Sequence, residues 1–155
     1  METDSISMVA SLLDPALKAR GFSRRGWNWY RDESESVLVV SLQPSSSWPF
    51  PFVNFGVHFK KYGANAQPSI RQCEIWTRLE TLVPEPLRVD ALVDASTPIA
   101  MDDRRTELQG LVVEYGLTWL EGLTTLAEAP TFLARQKQRP VFIAPGVRSE
   151  LEPRR

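Results

Sequence analysis

The sequence predicts an α+β domain, a four-stranded antiparallel meander preceded by one helix and followed by two or three helices packed on one face. Apolar residues recur at helical spacing near the start, alternate with polar ones from Phe22 to about Leu82, and return to helical spacing after Pro98. The two periods belong to one domain, because 155 residues are one domain's worth and neither half alone would bury its apolar face. The domain is set at residues 1–140, with 141–155 as a partly disordered tail.

Ile6, Val9, Leu13 and Leu17 make one apolar helical face, with Asp4 or Ser5 placed to cap the first amides. Gly21 supplies the stop, and Lys18 and Arg20 suit the negative end of the helix. Pro15 is expected to kink this helix or to open a second short one after Asp14.

From Phe22 the period is two. Trp27, Trp29 and Arg31 alternate with Asn28 and Tyr30, the polar run Asp32 to Ser36 makes a turn, and Val37 to Leu42 completes a hairpin. After the Ser/Pro loop, Val53, Phe55, Val57 and Phe59 alternate with Asn54, Gly56, His58 and Lys60, the first set directed at the core. A fourth strand is expected over about Arg71 to Leu82. It would place Cys73, Ile75, Thr77 and Leu79 on one face and Glu74, Trp76, Arg78 and Glu80 on the other.

Leu108, Leu111, Val112 and Tyr115 form a helix behind Asp102 and Asp103, and Gly116 ends it. Thr118 and Glu121 have the spacing of a capping box, so a new helix starts at Trp119 and carries Leu123, Leu126 and Ala127. A short helix over Phe132 to Gln138 follows. Val141 to Ile143 has the character of a short docking strand, and Pro145 to Arg155 that of a frayed end.

Composition excludes several kinds of chemistry. One His and one Cys cannot build a His/Cys metal cage or an internal disulfide, so no metal and no cofactor is expected. Eighteen Lys and Arg against 19 Asp and Glu, a net charge of -1, argue against a nucleic-acid binder, even with Arg24, Arg25 and Arg31 beside aromatic rings. No apolar run reaches the roughly 18 residues of a membrane span, and no secretory leader pattern opens the chain. With the lone Cys73 read as a buried thiol, these features lead to the expectation of a cytoplasmic protein.

Three local patterns resemble a known family: Leu17-Lys18-Ala19-Arg20-Gly21-Phe22 leading to Gly26-Trp27-Asn28-Trp29-Tyr30-Arg31, then Val53 to Phe59, then Gly116-Leu117-Thr118-Trp119-Leu120. Together they resemble the bacterial family known as domain of unknown function 4304, over about Ile6 to Gln138. The resemblance implies a small bacterial cytoplasmic α+β domain of unassigned role. It carries over no functional residue, and Pro15 and the segment Trp48-Pro49-Phe50-Pro51 look like departures from the family pattern.

Two constellations stand out, and neither contains a catalytic signature. If the last two strands pair antiparallel, His58 and Lys60 share a face with Glu74, Trp76 and Arg78, cross-strand Cβ atoms lying about 5 Å apart. That patch is either a solvated sheet face or a His-Glu-Arg site for a small ligand or anion, with His58 as general base, Glu74 orienting it and Arg78 on the anion. The second is aromatic. Trp48 and Phe50 lie among Ser and Pro and are expected to be exposed, whereas Trp27 and Trp29 belong to the core. Glu107, Glu114, Glu121 and Glu128, at seven-residue intervals, read as a solvated stripe. The expected function is non-catalytic binding of another protein, of the toxin-neutralising kind. The alternative is an enzyme built on the His-Glu-Arg patch.

Overall fold

A computed structural model of the chain describes residues 4–136 and 141–151. Helix α1 spans Ser5–Lys18, with the Asp4 carboxylate accepting from the Ile6 amide. It runs through Pro15 without a break. The lost amide bond is outweighed by the burial of Leu12, Leu13 and Leu17 on both sides of the proline, and Asp14 is fixed by Lys18 at 2.8 Å and Trp29 Nε1 at 2.9 Å. The helix closes as a Schellman motif: Phe22 N–H reaches the Leu17 carbonyl and Gly21 N–H that of Lys18, with Gly21 at φ +86°.

The antiparallel sheet has six strands and not four. In spatial order they are β1 (Ser23–Arg25), β2 (Asn28–Asp32), β3 (Ser36–Gln43), β4 (Phe52–Phe59), β5 (Ile75–Arg78) and β6 (Phe142–Ile143). The extra strands are the two edges. Ser23–Arg25 folds back on β2 through Gly26, at φ +62°, and three residues without apolar alternation leave no period to detect. Strand β6 lies within Val141 to Ile143, where a short docking strand was expected, and the residues after it, expected to fray, bury Val147 and Leu151 in the short turns Pro145–Val147 and α7 (Arg148–Leu151).

The fourth expected strand is shorter than its alternation suggested. Residues Ile70–Gln72 form a 3-10 turn with Ser69 and Gln72 as a reciprocal capping box, and Leu79–Leu82 is a helical turn, α2. Cys73 therefore lies off the ladder, on the face opposite Ile75. It packs there with Val37, Val39 and Ile70, and a Cβ on Gly56 would meet Ile70 Cδ1 at 2.6 Å and Cys73 Sγ at 2.8 Å. The connection between β4 and β5 thus roofs part of the face expected to be open and polar.

The main core lies on the other face, between Val53, Phe55, Val57 and Phe59 and the helices, as expected. These are α1, α3 (Pro86–Val93) and a long element from α4 (Met101–Leu111) through a π turn (Val112–Leu117) to α5 (Thr118–Glu121). Gly116 does not end the helix. A Cβ there would sit 2.2 Å from Phe55 ring atoms, so the missing side chain lets the backbone lie on the ring. Thr118 Oγ1 bonds back to the Val113 carbonyl at 3.5 Å instead of capping a new helix. Leu123 to Ala127 are turn residues, and the last expected helix is α6 (Ala129–Arg135), with Gln138 outside the described residues.

Candidate functional site

The expected His-Glu-Arg-Lys patch splits into three. His58, at the end of β4, is 5% exposed and Glu74 is 8% exposed. The ring Nδ1 lies 3.1 Å from both Glu74 oxygens, and Nε2 lies 2.9 Å from the Gly63 carbonyl. Glu74 Oε1 also accepts the Phe59 amide at 2.6 Å, while the Glu74 backbone bonds Val57 O and Ala144 N. Every polar atom of the ring is spent on holding the β4–β5 connection to the sheet.

Lys60 has left the ladder for a 3-10 turn and points at the β2–β3 turn, its Nζ 2.8 Å from Asp32 Oδ1. Arg78 pairs with Asn54 in the ladder, four residues from His58 along β4. At about 3.3 Å per residue that is about 13 Å away, beyond any shared small ligand. Its guanidinium lies 3.8 Å over the Phe52 ring, and Nε is buried without a hydrogen-bond partner. Trp76 packs on Phe142 with centroids 5.6 Å apart.

The aromatic loop is where the sequence placed it. Trp48 is 58% exposed and stacks on the half-buried Phe50, with centroids 6.0 Å apart and planes 15° from parallel. Ser45 holds the loop, its Oγ accepting from the Ser47 amide at 3.2 Å and the Trp48 amide at 3.1 Å. The two rings and Pro44, Pro49 and Pro51 border a cleft of about 190 Å³ that reaches Asp4 and Ile6 at the start of α1. Trp29 is buried and Trp27 packs at the core's edge.

Sequence reasoning missed Glu80. Burial first, then the Asp90 charge, pushes its carboxyl up to about 7. Its place in a presumed strand concealed that it sits in α2, facing α3. Burial also pushes the Cys73 thiol well up, away from thiolate chemistry. Two members of the glutamate stripe are already matched by arginines, Glu107 by Arg88 and Glu121 by Arg31 at 3.5 Å. Among the described residues no cluster of three or more His, Cys, Asp or Glu could hold a metal, and no helix is long and apolar enough to cross a membrane.

No curated protein and no solved structure matches the chain. A family model described as Domain of unknown function (DUF4304) matches residues 13–122, from the middle of α1 to the end of α5, which is well over half of the chain. With the second half of α1, strands β1 to β5 and helices α2 to α5 inside that match, the chain belongs to the DUF4304 family.

Proposed function

We propose that this domain is a non-catalytic module that binds another protein through the Trp48 loop, in the cytoplasm of a bacterial cell, as a toxin-neutralising partner. The observation that carries it is the exposed Trp48, stacked on Phe50 in a loop held by Ser45. A large aromatic held rigidly at the surface loses little entropy on binding, and such residues dominate interface energetics. The cytoplasmic setting rests on the single unpaired, buried thiol of Cys73. An anion-binding enzyme built on His58, Glu74 and Arg78 has less behind it, because the first two are mutually consumed and the third stands apart.

A photo-crosslinking residue at position 48, introduced in cells of the source organism, is expected to capture one discrete protein. The same residue at Leu87, which is 82% exposed in α3, is the control. The captured protein should bind the purified chain with Trp48→Ala weakening it about 30-fold, as loss of a central aromatic anchor does. Identical capture at both positions, or Trp48→Ala binding as the wild type does, would refute the proposal.

A further inference from the structure

We propose that the outer edge of β5 is a docking edge for an extended partner segment, and that residues 141–151 of this chain occupy it in that partner's place. The ladder they form is short. Ile75 pairs with Ile143 and Trp76 with Phe142, and one further bond runs from the Ala144 amide to the Glu74 carbonyl at 2.8 Å. Strands β3 and β4, by contrast, pair over eight residues each.

The bound segment displays what the edge accepts. Ile143 turns toward the core face with Ile75, and Phe142 lies on Trp76 while remaining 43% exposed. Farther along, Glu150 meets Lys61 Nζ at 3.0 and 3.2 Å and accepts from the Tyr62 hydroxyl. Backbone bonds along an edge give such docking its affinity, and alternate side chains give it specificity. The partner that fits is an extended segment with an aromatic for Trp76, an adjacent aliphatic for the core face, and a downstream carboxylate for Lys61 and Tyr62.

The segment also lies outside the residues that the family model matches. Strand β5 lies inside residues 13–122, whereas its cover comes from beyond them. Its Lys61–Glu150 ion pair is exposed and screened by salt, and its backbone ladder on β5 is two residues long, while Val147 and Leu151 anchor its far end in the core. The docking edge is distinct from the Trp48 loop, which follows β3.

Native-state hydrogen exchange on the unmodified chain tests whether the segment opens by itself. The Ala144 amide is expected to exchange at least tenfold faster than the amides of Leu38 and Val57 in the central strands. Equal rates would make the segment a fixed part of the fold and overturn the proposal. The second measurement uses the full chain carrying Phe142→Ser and Glu150→Lys, which removes the ring on Trp76 and sets a cation against Lys61. Fluorescence anisotropy with a labelled peptide of residues 141–151 is expected to show at least tenfold tighter binding to this variant than to the wild type. Binding no tighter than to the wild type would likewise overturn it.

Discussion

Arg104, on α4, is the largest polar side chain in the core, at 1% exposure, and among the described residues it forms no ion pair with a carboxylate. It donates instead to carbonyls: Nη1 to Ala91 at 3.1 Å, Leu92 at 2.5 Å and Asp94 at 3.0 Å, and Nη2 to Thr97 at 2.7 Å. These carbonyls end α3 and begin the connection to α4, where the helix dipole is negative and the last oxygens lack partners of their own. Arg104→Met keeps much of the stem and removes every donor. A charged hydrogen bond contributes about 1.5–3 kcal/mol net, but three of the four share one nitrogen, so about two independent bonds are lost. The expected loss is about 3–5 kcal/mol, part of it the cost of leaving buried carbonyls unpaired. At about 2–4 °C per kcal/mol for a chain of this size, the melting temperature falls by about 10 °C. Urea unfolding followed by tryptophan fluorescence, with circular dichroism on heating, measures both. Arg104→Lys restores the charge without the planar fork and is expected to recover less than half. A loss under about 1 kcal/mol in Arg104→Met would refute the assignment, since the carbonyls would then have other partners.

Gly116→Ala drives a methyl to within 2.2 Å of the Phe55 ring, and an overpacking cost of about 1–3 kcal/mol is expected in urea unfolding. Glu80 binds its proton more tightly folded than unfolded. The folded state therefore loses stability as pH rises from the ordinary carboxyl range, 4.5, to about 7, and the full penalty applies above that. Glu80→Gln is expected to stabilise the protein at pH 8 and to change little at pH 4, which unfolding at the two pH values checks. His58→Ala leaves the Glu74 carboxylate short of one partner and the Gly63 carbonyl without its ring donor, so it is expected to lower the melting temperature. It leaves binding through the Trp48 loop unchanged in the crosslinking assay.

The layers of the fold were legible because burial follows period. Val53, Phe55, Val57 and Phe59 point to the core as their alternation requires, and Leu13 and Leu17 do so at helical spacing. Three features escaped, each for a physical reason. Pro15 sits in a helix whose apolar face carries more free energy than the proline removes. Gly116 is usually a stop, yet here its missing Cβ lets a helix lie on Phe55, a tertiary contact with no local trace. The edge strand Ser23–Arg25 is three residues long, too short for any period to declare itself, whereas β6 falls within the expected Val141 to Ile143.

The site was legible in a different measure. Alternation assigned Arg78 and Trp76 to one face with Asn54, and the register agrees. It says nothing of separation along the strand, so His58 and Arg78 share a face while lying about 13 Å apart. Nor does it foresee a roof, because Ile70 and Cys73 reach the second face through a turn that the alternation ran across. Trp48 was easier to place for the opposite reason. A ring among Ser and Pro, with no ladder beside it, has no sheet face to be buried against, whereas Phe50, two residues before β4, and Phe52, its first residue, are both half-buried. Burial steps from exposed at Trp48 to half-buried at Phe50 and Phe52 as the chain reaches the sheet, and it leaves Trp48 as the ring of this loop that a partner can cover.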